Sequence, residues 1–364
     1  MTATPPKDIV INGRFLTQKL SGVQRYSREI VQAADRLIHS EHTRFGGRQW
    51  RLLVPSGADP QFRLQAIRIE QVGAGDGHLW EQRDLAVASR GARLVNLGNS
   101  GPLLHRDRLV VIHDAAVFRT PGNFGRRYRL MHKALGRALA ATGRIGTVSQ
   151  FSRDELSQVL HLDPDRIVVI NNGCDHFIGR DRDERVLDAL GVEPQRYFLF
   201  VGNHAPNKNL RFLLEAFSHI GRAGAKLVVA GSLDRGVFGD GRAIGGEDVV
   251  LAPGLSDAKI AALYSHATAH VFPSVYEGFG IPPLEAMASG CPTIVSDIPV
   301  LREVCGDAAS YFSLSDLDGL VSLLRQHWDF PQRGSAQRSA ASERLERFTW
   351  ERSARTLIEA VTSD

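Results

Sequence analysis

Short apolar runs alternate with segments of helical period along the whole 364-residue chain. The run Leu109-Val110-Val111-Ile112 is continuous rather than alternating, which fits a strand buried on both faces of a parallel sheet. Comparable runs predict strands at 8–11, 51–54, 93–97, 145–148 and 167–170. Val23, Tyr26, Ile30, Ala34 and Leu37 recur near helical spacing and predict a helix from 22 to about 40. Further helical patterns cover 125–141 and 152–160. The alternation then restarts, with strands at 197–201, 226–230, 269–272 and 293–295. Helices are expected at 209–217, where Leu210, Leu213, Leu214 and Phe217 share a face, and at 256–266 and 282–289.

Two consecutive α/β runs predict two doubly wound, Rossmann-like domains facing across a cleft. The expected boundaries are 1–175 for the first domain and 196–349 for the second. A linker is expected at 176–195, where Arg180, Asp181, Arg182, Asp183, Glu184 and Arg185 stand in a row. A terminal helix at 350–364 carries Leu357, Ile358 and Val361. It caps the second domain or crosses back to the first, and periodicity does not decide between these.

Composition narrows the classes. Forty-four basic against forty acidic residues give a net charge of only +4, so no nucleic-acid partner is expected. Cys174, Cys291 and Cys305 are too far apart for a metal cluster or a disulfide framework, which makes a reducing cytoplasm the default location. The chain opens Met1-Thr2-Ala3-Thr4-Pro5-Pro6-Lys7 without an apolar signal core, and no run of about 18 apolar residues occurs. Gly73-Ala74-Gly75-Asp76-Gly77 lacks dinucleotide-binding spacing. Asp163-Pro164-Asp165 has D-x-D form but sits where turn residues belong. No metal site is expected.

The chemistry concentrates in Glu277-Gly278-Phe279-Gly280-Ile281-Pro282-Pro283-Leu284-Glu285. It follows the strand at 269–272, and open α/β sheets bind ligands beyond their strand C-termini. Gly278 and Gly280 suit a tight turn with positive φ. Pro282 and Pro283 suit a first helical turn, which would hold Glu285 too. An ionised glutamate accepts two hydrogen bonds from a vicinal diol. Two such groups beside a helix N-terminus suit a ligand carrying sugar hydroxyls and phosphate. Lys208 stands just before the helix at 209–217, a second anion site, with Asn203 and Asn207 nearby. Gly22 opens the first helix and can bring backbone N–H groups to a phosphate. His113-Asp114 ends the strand at 109–112; Asp114 orients His113, meets an acceptor or caps the next turn. Judged singly, each has a plainer account as a solvated loop residue or an ordinary helix start.

Together these residues resemble the E-x7-E motif of retaining glycosyltransferases with the GT-B fold, the large group that includes bacterial mannosyltransferases and sucrose-phosphate synthases. Ser149-Gln150-Phe151-Ser152, Asn172-Gly173-Cys174-Asp175 and Tyr276-Glu277-Gly278-Phe279-Gly280 follow in that family's order, across nearly the whole chain. The resemblance implies transfer of a hexose from a nucleotide sugar, without metal or other cofactor, to a hydroxyl of a glycan or lipid-linked acceptor. It gives Glu277 the donor sugar, Glu285 the ribose, Lys208 the leaving diphosphate and His113 the sugar near its sixth carbon. Donor contacts extend to Gly22, Asn203, Asn207, Gly278, Phe279, Gly280 and Leu284.

Two departures stand out. Asn203 occupies a position where many members have arginine, so Arg302 or another cation takes over that charge or it is missing. Ser21 replaces the first of two glycines. GDP-mannose is the first choice of donor, from Val201-Gly202-Asn203, Lys208 and the segment 16–26; UDP-glucose and dTDP-rhamnose are the alternatives. Competing readings are a GT-B-like nucleotide-sugar epimerase and a non-catalytic sugar-binding protein. The basic segment 126–137 reads most plainly as a solvated helix face. A lipid-linked acceptor would instead give it a use in peripheral contact at the inner face of the membrane.

Overall fold

In the computed structural model, which describes residues 6–45, 47–59, 62–123, 125–231, 246–331 and 334–363, the chain divides into two compact units. The first comprises Met1–Gly173 with Thr349–Asp364, the second Cys174–Phe348. The first five residues of the N-terminal stretch discussed above lie outside the described residues.

In the first unit, β1 (Ile9–Asn12), β2 (Trp50–Pro55), β3 (Arg68–Val72), β4 (Arg93–Asn96), β5 (Arg108–Val111), β6 (Arg144–Thr147) and β7 (Ile167–Val169) form a parallel sheet in the order 3-2-1-4-5-6-7. Val10, Leu53 and Leu94 pack on Trp80 and Leu85, while Val110 and Ile145 pack on Leu139 and Leu156. The terminal helix Trp350–Thr362 belongs to this unit. It lies along the helix Gly22–Ser40, with Trp350 edge-on to Tyr26 at 5.9 Å and Arg355 paired with Glu41 at 2.6 Å.

In the second unit, β8 (Tyr197–Val201), β9 (Lys226–Ala230), β10 (Val249–Ala252), β11 (Ala269–Phe272), β12 (Thr293–Ser296) and β13 (Ser310–Phe312) are again parallel, in the order 10-9-8-11-12-13. Alternate residues face opposite layers. Phe198 and Phe200 join Leu213 and Phe217 on one side, and Tyr197 and Leu199 join Tyr264 and Leu263 on the other. Both faces are therefore buried, as the continuous apolar runs require.

The stretch 176–195 is not a free connector. It holds a short helix, Arg185–Leu190, and Val186, Leu187 and Val192 are buried in the core of the second unit. Its charged row occupies the solvent side, which is why composition alone reads as a linker. The strands β3, β10 and β13, absent from the sequence-based expectation, all lie at sheet edges. Among the described residues no helix is long and apolar enough to cross a membrane. The three cysteines are buried and form no disulfide, and burial pushes each thiol up to about 12.

Candidate functional site

Each sheet has one point where strand order reverses, between β1 and β4 in the first unit and between β8 and β11 in the second. Loops leaving adjacent strands there run apart and open a crevice. In the second unit the two loops at the switch point carry Lys208, after β8, and Glu277, after β11. Lys208 Nζ donates to Glu277 Oε1 at 2.6 Å, and lies 5.0 Å from the centre of the Phe272 ring. Phe272 ends β11, so one side chain supplies both sheet core and a face for the cation. Lys208 retains two further N–H donors and Glu277 a second oxygen.

Local sequence explains how the loops are held. Pro206 starts a tight turn that ends with Asn209 in the left-handed region, placing Lys208 just before the helix Leu210–Ser218. Asn207 ties this turn to the other loop. Its carbonyl accepts from Val275 N at 2.8 Å, and its Nδ2 donates to Tyr276 O at 3.1 Å. Asn207 thus braces the backbone on which Glu277 sits. Asn203 Oδ1 accepts from Ala205 N and shapes the start of the same loop. At the floor, Gly231 has φ 142° and follows β9; an added Cβ would stand 1.8 Å from Gly202 O. Only glycine allows those two strand ends to approach so closely.

The helix Ile281–Ala288 begins after Gly280, whose φ of 95° explains the glycine. Gly278 is not among the positive-φ glycines, so the expected left-handed geometry applies to Gly280 alone. Ile281, Pro282 and Pro283 fill the first turn, and Glu285 consequently lies in the second turn rather than the first. Its carboxylate is buried against His176, whose Nε2 is 3.2 Å from Glu285 Oε1. His176 comes from the stretch expected to be a linker and went unrecognised in the sequence; only its place after the Asn172–Asp175 landmark hints at it. Phe279 and Leu284 turn their side chains into the core, Phe279 edge-on to Phe348 at 5.3 Å. Only their backbone remains for a ligand. Arg302 is paired with Asp297, in the loop before its helix, at 2.7 Å and stacked over Tyr311 of β13, so its charge is engaged there.

In the first unit, His113 follows β5 and is buried. Its Nε2 lies 2.8 Å from Leu97 O, its backbone N donates to Asn99 Oδ1 and its ring meets Tyr26 edge-on at 4.8 Å. Burial pushes its pKa down from 6.5 to about 4, against the opposing pull of the Leu97 carbonyl. The ring is therefore neutral near pH 7; with Nε2 donating to Leu97, Nδ1 remains as an acceptor. Asp114 Oδ1 accepts from Ala116 N and caps the following turn. Gly22 begins a 19-residue helix with no side-chain cap bond, and nothing crowds its Cα.

At the switch point of this sheet, Glu81 is buried and receives Asn12 Nδ2, Ser100 Oγ and the Arg14 guanidinium. Burial raises its pKa, but His78, Arg14 and these hydrogen bonds outweigh it and hold the carboxyl below its usual value. Glu81 is a buried acid that sequence reasoning missed.

The discarded signals also have structural accounts. Asp163 caps a turn by accepting from Asp165 N, and Gly75 N donates to Asp84. Among the described residues no group of three or more His, Cys, Asp or Glu is arranged to hold a metal ion.

A family model described as glycosyl transferases group 1 matches residues 183–317, and one described as glycosyltransferase family 4 matches residues 90–176. O-antigen chain mannosyltransferase B of Escherichia coli is 30% identical over 367 residues, covering 91% of this chain and 93% of that protein. O-antigen chain mannosyltransferase RfbU of Salmonella typhimurium is 32% identical over 63% of each chain. Among solved structures, WaaG, a glycosyltransferase involved in lipopolysaccharide biosynthesis, superposes with a TM-score of 0.73 at 16% identity, covering 98% of this chain and all of its own. Anabaena HepE in complex with UDP and glucose gives 0.74 at 14% identity with the same coverage. These structural likenesses establish the fold, two Rossmann-like domains of GT-B architecture.

Proposed function

The chain belongs to the GT-B glycosyltransferases of the group 1 and family 4 superfamily, nucleotide-sugar-dependent enzymes that transfer a sugar to an acceptor, and from that premise we propose that it moves a hexose, mannose first, with retained anomeric configuration. The observation that carries the site is the Lys208–Glu277 pair at the switch point of the second sheet.

Departure of the nucleotide builds negative charge on a diphosphate and positive character on the sugar ring. Lys208, a cation preorganised beside the Leu210–Ser218 helix, stabilises the first. Glu277 orients the sugar through its hydroxyls, and Glu285, steadied by His176, takes the ribose diol. His113 Nδ1 accepts from a sugar hydroxyl, and the uncapped N-terminus at Gly22 attracts phosphate. Positioning supplies much of the acceleration. On this reading the leaving phosphate itself helps take the acceptor proton on the same face.

Mannose is supported by the two O-antigen mannosyltransferases, and GDP is the base chosen with it. The acceptor is a glycan or lipid-linked hydroxyl at the inner face of the membrane, and no metal is required. A thermal-shift panel of GDP, UDP and dTDP sugars tests the donor, since a ligand that binds only folded protein raises its melting temperature. GDP-mannose is expected to give the largest rise; a larger one with a UDP or dTDP sugar would reassign it. Turnover should survive a chelator, and loss restored by magnesium would refute metal independence.

A further inference from the structure

The helical stretch 77–88 changes character in its middle. Gly77–Trp80 is α-helical, Glu81–Leu85 forms a π-helical turn, and Ala86–Ala88 is α-helical again. Such turns widen a helix locally and frequently mark functional positions. Here the turn begins at Glu81, buried at the switch point of the first sheet.

The two oxygens of Glu81 serve different ends. Oε1 receives Asn12 Nδ2 and Ser100 Oγ, each at 2.8 Å, and the Arg14 guanidinium at 3.1 Å. Oε2 meets His78 Nδ1 at 3.0 Å. Those donors hold the carboxyl ionised against its burial, so the proton shared with His78 belongs to Nδ1. Neutral His78 therefore carries its lone pair on Nε2. The imidazole is 44% exposed, and among the described residues no protein group hydrogen-bonds to Nε2.

The loop that steadies Glu81 also holds His113. Leu97 O and Asn99 Oδ1 engage His113, while Ser100 engages Glu81. Asn99, with φ of 60°, sits in the left-handed region that non-glycine residues seldom occupy. On the helix Arg126–Thr142, the His132 ring lies 6.3 Å from that of His78, and Tyr128 lies 4.0 Å from His132, tilted by 33°. Burial, and then the neighbouring His78 and Arg14, push the His132 pKa below its ordinary value. Tyr128 is half-exposed.

We propose that His78 selects the acceptor: its Nε2 takes a hydrogen bond from a hydroxyl of the acceptor's terminal sugar, beside the His132–Tyr128 ring pair, and Glu81 is the positioning residue that keeps that nitrogen an acceptor. Sugars suit such a place, because their hydroxyls donate to a nitrogen lone pair while their C–H edges pack on aromatic rings. A metal ion would need more ligands than two imidazoles, and among the described residues no group of three or more His, Cys, Asp or Glu is arranged to supply them. The proposal rests on a glycan acceptor and adds to that reading the residue that recognises it.

The test uses the whole chain with isotope-labelled histidine, and the methyl α-glycosides of mannose, glucose, galactose and rhamnose as probes. The imidazole nitrogen resonances of His78, assigned by their loss in H78A, are expected to place the proton on Nδ1. E81Q turns an amide NH2 toward Nδ1, since its oxygen stays with Asn12, Ser100 and Arg14, and should move the proton to Nε2. At least one glycoside should shift the His78 Nε2 resonance of the wild type. Its affinity should fall about threefold to tenfold in H78A and in E81Q, as for one lost hydrogen bond. H78Q, whose amide oxygen can stand in for Nε2, should recover part of it. H78A and E81Q should keep wild-type circular dichroism and nucleoside diphosphate affinity. A wild-type proton on Nε2, no shift of His78 with any glycoside, or unchanged glycoside affinity in folded E81Q would each overturn the proposal. Failure of every nucleotide sugar to bind would overturn the donor reading instead, and the His78 resonances would be unaffected.

Discussion

Breaking the Lys208–Glu277 pair from either side should have unequal functional and nearly equal structural consequences. The side chains are 16% and 11% exposed, so the pair is neither a surface ion pair nor a fully buried one. Exposed pairs contribute ~0.2–1 kcal/mol, and removing one partner of a buried pair costs ~3–5 kcal/mol. The observed burial places Lys208→Met and Glu277→Gln each near ~2 kcal/mol of destabilisation, with a coupling of ~1.5 kcal/mol in the double variant. Urea unfolding of the four proteins in the cycle measures this. Ligand binding separates the two residues. A charge-assisted hydrogen bond is worth ~1.5–3 kcal/mol, so Lys208→Met should weaken free nucleoside diphosphate about tenfold to a hundredfold by calorimetry. Glu277→Gln removes the carboxylate that competes for Lys208 and should leave that affinity unchanged or tighter, while abolishing sugar transfer. Additive destabilisation in the cycle would refute the pairing. Wild-type diphosphate affinity in Lys208→Met would refute the phosphate role.

His176→Ala should raise the KM for the nucleotide sugar several-fold more than it lowers kcat, because it loosens Glu285 without touching the reacting bond; His176→Gln should restore much of the loss, and equal effects on both constants would count against a positioning role. His270 is buried with neither ring nitrogen hydrogen-bonded among the described residues, and burial pushes its pKa down to about 3. Its folded value lies below its unfolded one, so its neutral form favours folding fully above about pH 6.5, and that contribution is lost progressively as pH falls toward the folded value. His270→Phe should therefore raise the melting temperature, and raise it more at about pH 5 than at about pH 7.5; a lower melting temperature at both would contradict this. Glu81→Ala strands the Arg14 guanidinium and should cost ~3 kcal/mol in chemical denaturation; a loss under ~0.5 kcal/mol would mean water replaces the carboxylate.

Strands at the centre of each sheet were legible because burial on both faces demands continuous apolar runs, as in β5 and β8. The edge strand β3, Arg-Ile-Glu-Gln-Val, faces solvent on one side, and polar residues interrupt the pattern that would reveal it. The same exposure hides β10, with two half-buried residues and one exposed. The candidate site shows a similar division. Lys208 and Glu277 are each recognisable as loop residues beyond a strand C-terminus, yet 69 positions separate them and alternation does not state which strands are neighbours. Their contact follows from strand order: β11 pairs with β8, although β9 and β10 intervene in the chain, so loops distant in sequence leave the sheet side by side. His176 stayed hidden for the opposite reason. Its neighbourhood is charged and reads as solvent-exposed, and its value lies wholly in a contact with a residue 109 positions away. A side chain whose role is to hold another acquires that role only when the fold brings the two together, so local pattern finds reactive groups more readily than their supports.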